Sequence, residues 1–189
     1  MNKSRILLAL FLVSVLFAGF AFKDNNPSDL VDKKAPSLAD ILTNVGLSGS
    51  DYYKDKVTLL NFMFFGCKPC MVEIPTLNKI YDDVKSDKFQ MLSIAAHTKE
   101  QVNAFLSDSI SIYSDIRKRY KIESIKFNIV AECASNDMNA NPKEIELMCR
   151  TITETFHVEG YPTTFLIDQN GYVRKVFVGF SLTGKDSVI

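Results

Sequence analysis

Continuous apolar runs divide the chain at regular intervals and are typical of strands buried on both faces of a sheet. They lie at 57–65, 89–96, 127–131 and 163–167. A further run at 172–180 follows the turn sequence Asp-Gln-Asn-Gly at 168–171, which predicts a β-hairpin.

Between these strands, apolar residues recur at spacings of three and four, which predicts helices with one buried face. We expect one helix from the cysteine pair to about Lys85, one from the capping pair Thr98 and Gln101, one over 112–122, and one from about 141 to Phe156. Helices that alternate with strands are typical of an α/β sheet with parallel crossovers, ending here in an antiparallel pair.

The N-terminal residues have the pattern of an export signal. Lys3 and Arg5 precede an uncharged apolar run at 6–22, which is also near the minimum length for a membrane span. We therefore expect residues 1–21 to be a signal peptide or an N-terminal membrane anchor, and 22–34 a polar linker. Residues 35–189 then form one domain in the cell envelope or periplasm.

The charge of the chain gives no reason to expect nucleic acid as a partner. The 189 residues include 22 basic and 22 acidic side chains. The basic run at 117–119 lies in a segment of helical pattern, so we interpret it as a solvated helix face.

Residues 61–75 read NFMFFGCKPCMVEIP and place two thiols at the end of a buried strand. A thiol attacks as thiolate, and a helix start favours that charge, so Cys67 is the expected nucleophile. Cys70 lies one turn further and can resolve a mixed disulfide. Gly66 permits a tight turn, Lys68 adds positive charge, and Pro69 suits a first helical turn.

Two other uses of this cysteine pair are open. A zinc site needs more ligands, but Cys133, Cys149 and the isolated His97 and His157 do not have the spacing of a second ligand pair. A purely structural disulfide of this length constrains the unfolded chain very little.

These features resemble the thioredoxin superfamily, and in particular its exported TlpA/ResA-type thiol-disulfide oxidoreductases. The resemblance rests on the CxxC segment with Pro75 after it, and on the segment GYPTTFLID at 160–168, which is similar to the family's signature around a cis-proline. It implies a thioredoxin-like fold over roughly 35–180, with a central mixed sheet flanked by helices. It also implies an enzyme without cofactor or metal.

The resemblance assigns roles to particular residues. Cys67 would be the exposed nucleophile and Cys70 the resolving thiol, while Tyr161, Pro162 and Thr163 would form the substrate-facing loop. Glu73 would lie near the site and tune proton uptake, although an exposed helix glutamate is an equal interpretation. The implied partners are disulfide-containing envelope proteins and a redox partner that recycles the site, with reduction as the expected direction.

The chain departs from the family at several positions. Asn61 replaces a buried aspartate, so a general base at that position is missing or is replaced by Glu73. Gly66 stands where the family has tryptophan. Cys133 and Cys149 are additional, and we predict that they form a structural disulfide because the protein is exported and has an even number of cysteines.

Two other functions share parts of this pattern. A peroxide-reducing redoxin would have the fold but a different cysteine motif. A copper-delivery module is favoured by Met63 and Met71 beside the thiols, although both methionines also suit the core.

Overall fold

The computed structural model describes residues 26–39, 42, 52–133 and 151–180. Its sheet has five strands, in the spatial order β3-β2-β1-β4-β5. β2 pairs with β1 and β3 in parallel, whereas β4 pairs with β1 and β5 antiparallel. The predicted α/β class is confirmed. The strands are β1 (Val57–Met63), β2 (Phe89–Ala95), β3 (Asn128–Ala131), β4 (Thr163–Ile167) and β5 (Val173–Val178).

The helices of the described residues are α1 (Lys68–Val84), α2 (Lys99–Ser107), α3 (Ser111–Arg119) and α4 (Thr151–Thr155). The predicted capping box of α2 is present. The Thr98 hydroxyl accepts from the Gln101 N–H at 3.2 Å, and the Gln101 side chain accepts from the Thr98 N–H at 3.0 Å. Most of the helix predicted from about 141 lies outside the described residues.

β1 is the central strand, and its alternating side chains enter two separate cores. Leu59 and Met63 pack in a cluster with α1, α2 and α3, whereas Leu60 and Phe62 pack on the opposite face with α4 and Leu38. Since both faces of β1 are covered, the end of this strand is a rigid base for the residues that follow it.

The described structure includes residues before Ala35, where we predicted that the domain begins. Pro27–Leu30 forms a 3₁₀ helix whose Leu30 side chain is buried. The Asp32 N–H donates to the Val173 carbonyl at 2.8 Å, and the Val173 N–H donates to the Lys33 carbonyl at 2.9 Å. Part of the predicted linker therefore pairs with β5, because it carries apolar residues and backbone groups that the hairpin can accommodate.

Arg117 is not part of a solvated face. Its guanidinium donates to the backbone carbonyls of Phe105, Leu106, Ile122 and Glu123, at distances between 2.9 and 3.3 Å. It thereby satisfies carbonyls at the end of α2 and in the loop after α3. Lys118 and Arg119 are exposed, so the interpretation as a solvated helix face holds for these two residues.

No helix within the described ranges is long and apolar enough to cross a membrane. The predicted signal or anchor at 1–21 lies outside these ranges.

Candidate active site

Cys67 and Cys70 form a disulfide where β1 leads into α1, with their Cα atoms 5.2 Å apart. Cys67 is the N-cap of α1, and its Sγ accepts a hydrogen bond from the Cys70 N–H at 3.2 Å. Pro69 lies in the first turn, where a missing N–H costs nothing. The backbone therefore directs a donor and the positive end of a helix dipole at the sulfur of Cys67.

A tight turn at 64–67 carries the strand into the helix. It is closed by a hydrogen bond from the Cys67 N–H to the Phe64 carbonyl at 3.1 Å. A Cβ at Gly66 would come within 2.8 Å of a carbon of the Phe64 ring. A side chain at this position would therefore displace the Phe64 ring, a contact that the sequence did not show.

Both cysteines are nearly buried in this oxidised form, with 5% of Cys67 and 1% of Cys70 exposed. The expectation of an exposed nucleophile is wrong for the disulfide state, because both residues pack in the apolar cluster with Phe65 and Met71. The neighbouring Lys68 and Pro69 are exposed. Cys67 has the larger exposed fraction of the two cysteines.

A row of polar side chains crosses three strands and reaches Glu73 on α1. Asn61 is in register with Ser93 on β2 and Thr164 on β4. Its amide nitrogen donates to the Thr164 hydroxyl at 2.9 Å and to Glu73 at 3.3 Å, and its oxygen accepts from Ser93 at 3.1 Å. Asn61 thus satisfies all of its polar atoms and holds the Glu73 carboxyl group.

Glu73 is only 2% exposed, so its interpretation as an exposed helix residue is wrong. Burial raises its pKa to about 7, and the hydrogen bond from Asn61 opposes that rise. It lies one helical turn after Cys70. The site therefore contains a carboxyl group that exchanges its proton near neutral pH.

The downstream motif lies beside the turn that carries Cys67. The peptide bond between Tyr161 and Pro162 is cis, and the Tyr161 ring makes an edge contact with Phe64 at 5.5 Å between centroids. Pro162 and Thr163 are buried, and the Pro162 carbonyl accepts from the Gly179 N–H at 2.7 Å. Within the predicted substrate loop, the half-buried Tyr161 is therefore the most accessible side chain.

His97 and Cys133 are further candidate residues that the structure describes. His97, which the sequence analysis treated as isolated, contacts the turn before Cys67 through its ring nitrogen. Its position after a strand and beside a capping pair was the only sequence signal that could have located this contact.

Cys133 is buried just after β3. Cys149 lies outside the described residues, so their disulfide stays a prediction.

Comparison with known proteins agrees with this geometry. The chain is 26% identical over 183 residues to the thiol-disulfide oxidoreductase ResA of Geobacillus kaustophilus, covering 94% of this chain and 88% of that protein. It is 24% identical to the sporulation thiol-disulfide oxidoreductase A of Bacillus subtilis, and the match covers 78% of this chain and 76% of that protein. A solution structure from Neisseria meningitidis, described as that of a thioredoxin, matches 82% of this chain and 85% of its own. Its TM-score is 0.56 and its identity 25%.

The predicted thioredoxin-like fold and the predicted activity, thiol-disulfide exchange, are both confirmed. The sequence profile of the AhpC/TSA family matches residues 31–176, which is most of the chain. The chain therefore belongs to the AhpC/TSA family.

Proposed function

We propose that this chain reduces disulfide bonds in exported proteins through its two active-site thiols. The observation that supports this most directly is the bond between Cys67 and Cys70 at the start of α1, with Cys67 as N-cap. A disulfide between residues this close in sequence adds little stability, whereas it suits reversible exchange.

The reaction begins with both cysteines reduced. The Cys67 thiolate attacks one sulfur of a substrate disulfide, that bond breaks, and the released substrate thiolate takes up a proton. Cys70 then loses its proton and attacks the Cys67 sulfur of the mixed disulfide. The second substrate thiolate leaves and is protonated. The bond between Cys67 and Cys70 forms, so two electrons have passed to the substrate, and a dithiol redox partner must restore the enzyme.

Glu73 is proposed to accept the proton that Cys70 releases. Its raised pKa, about 7, allows the carboxyl group to exchange a proton at neutral pH, as a general base requires. Asn61 cannot titrate, but it orients the carboxyl group by donating to it at 3.3 Å.

The reductive direction is supported by the burial of the site. The two cysteines expose 5% and 1% of their surface, and burial disfavours a charged thiolate relative to a neutral disulfide. A protein whose disulfide is the preferred form gives up electrons readily. The N-cap hydrogen bond acts in the opposite direction because it stabilises thiolate. The reduction potential measures which effect dominates.

Three measurements test this proposal together. Cys70→Ser should trap substrates as mixed disulfides on Cys67, recovered by non-reducing electrophoresis and mass spectrometry, whereas the matched Cys67→Ser variant should trap none. The wild-type chain should reduce insulin. Its reduction potential should be about −270 mV, as in thioredoxin, and not about −120 mV, as in a strongly oxidising relative of that fold. Equal trapping by both variants, or a potential in the oxidant range, would contradict the proposal.

Localisation outside the cytoplasm is proposed from the basic residues Lys3 and Arg5 and the apolar run at 6–22. Cell fractionation with N-terminal sequencing tests it. A new N-terminus near Phe22 in the soluble envelope fraction indicates a cleaved signal, and the intact N-terminus in the membrane fraction indicates an anchor. Recovery of the intact chain in the cytosol contradicts both.

A further inference from the structure

His97 lies directly behind the turn that carries Cys67. Its Nε2 accepts a hydrogen bond from the Phe65 backbone N–H at 2.8 Å. Phe65 is the second residue of the turn at 64–67, and the closing hydrogen bond of that turn joins only the first and last residues. The Phe65 N–H therefore needs an acceptor from elsewhere in the chain, and His97 supplies it across 32 positions of sequence.

The capping box of α2 fixes the tautomer of this imidazole. The Gln101 Oε1 accepts from the Thr98 N–H at 3.0 Å, and a backbone N–H only donates, so the amide orientation of Gln101 is determined. The same oxygen lies 3.1 Å from the His97 Nδ1, which must therefore carry the proton. Nε2 is left unprotonated and can accept from Phe65.

The side chain of Phe65 is also held in place, by stacking between aromatic rings. The His97 ring stacks on the Phe65 ring with centroids 4.3 Å apart and planes 9° apart. The Phe65 ring also stacks on Phe105 at 4.0 Å. Burial lowers the pKa of His97 to about 4, and the Gln101 hydrogen bond opposes this shift, so the ring is neutral at pH 7. Phe65 is thus held at both its backbone and its side chain.

We propose that His97 is a positioning residue for the thiol chemistry, whose Nε2 holds the turn at 64–67 so that Cys67 lies at the N-cap of α1. This inference rests on the proposed function, because it concerns the same two thiols. His97 exchanges no electrons. Without its acceptor, the Phe65 N–H would be buried and unsatisfied, so the turn would reorient toward another partner. The Cys67 sulfur would then lose its alignment with the Cys70 N–H.

The test compares two substitutions of His97. His97→Phe keeps a flat ring that can stack on Phe65 but removes the acceptor, whereas His97→Gln keeps an acceptor close to the position of Nε2. In the Cys70→Ser background, the pH dependence of Cys67 alkylation, followed by mass spectrometry, gives the pKa of this thiol. We expect His97→Phe to raise that pKa and, with Cys70 intact, to lower kcat/KM for insulin reduction about tenfold. His97→Gln should keep both the Cys67 pKa and kcat/KM close to their wild-type values.

Phe105→Leu is the control for a purely structural effect, since it disturbs the same stack but leaves the hydrogen bond in place. It should lower the melting temperature and leave the Cys67 pKa unchanged. The inference is overturned if His97→Phe behaves like this control, or if His97→Gln is as impaired as His97→Phe. Failure of the wild-type chain to reduce insulin would instead refute the proposed function, and the alkylation measurement would still test His97.

Discussion

Replacing Glu73 by glutamine should remove the contribution that this carboxyl group makes to the pH dependence of stability. The side chain is 2% exposed, and burial raises its pKa from 4.5 to about 7. At about 1.4 kcal/mol for each pH unit, this difference corresponds to roughly 3 kcal/mol. Glutamine has nearly the same shape and can still accept the hydrogen bond from Asn61, but it carries no charge at any pH.

The sign follows from which state holds the proton. Between pH 4.5 and about 7 the folded chain keeps the proton on Glu73, whereas the unfolded chain has lost it. The contribution of Glu73 to the free energy of unfolding therefore falls as the pH rises through this window, and it levels off above about pH 7. The free energy of unfolding of Glu73→Gln should equal that of the wild-type chain at about pH 4.5. At about pH 8 it should be higher by roughly 3 kcal/mol.

His97 contributes to the pH dependence of the free energy of unfolding with the opposite sign, because burial lowers its pKa from 6.5 to about 4. Its contribution is complete above pH 6.5 and is lost as the pH falls toward about 4, since the unfolded chain then binds a proton that the folded chain does not. The two effects offset each other in the wild-type chain. Only the difference between the wild-type chain and Glu73→Gln isolates the carboxyl group.

The assay is urea unfolding of the oxidised proteins at several values between about pH 4.5 and about pH 8. Glu159→Gln is the matched control, because it removes one carboxylate from an exposed position. A stability difference between the wild-type chain and Glu73→Gln that stays constant over this range would refute the assignment of a raised pKa to Glu73.

Three further substitutions test separate parts of the structure. Gly66→Ala would place a Cβ 2.8 Å from a neighbouring phenyl ring, so we expect a cost of about 1 kcal/mol in unfolding and a changed KM for insulin. Arg117→Ala should cost about 2 kcal/mol in urea unfolding because four carbonyls lose a donor, whereas Lys118→Ala should cost almost nothing. Asn61→Asp adds a carboxylate beside Glu73 and should shift the pH profile of insulin reduction upward; an unchanged profile would contradict this.

Local sequence patterns were sufficient for much of the fold and for the thiol chemistry. The spacing of Cys67 and Cys70 after a buried strand predicted their place at a helix start, since three positions span about one helical turn. The capping pair Thr98 and Gln101 was predicted correctly for the same reason. Such features depend on hydrogen bonds between residues that are near neighbours in the chain.

The surroundings of the thiols depend on contacts between segments that are far apart in the chain. Asn61 meets Ser93 and Thr164 because three strands pair in one register, and their separation along the chain gives no indication of this. The burial of Glu73 and the contact of His97 with Phe65 likewise depend on how α1 and α2 pack on the sheet. Residue types and local spacing specify which side chains can perform thiol exchange. Packing between distant segments sets the solvation and orientation of these side chains, and both control a pKa.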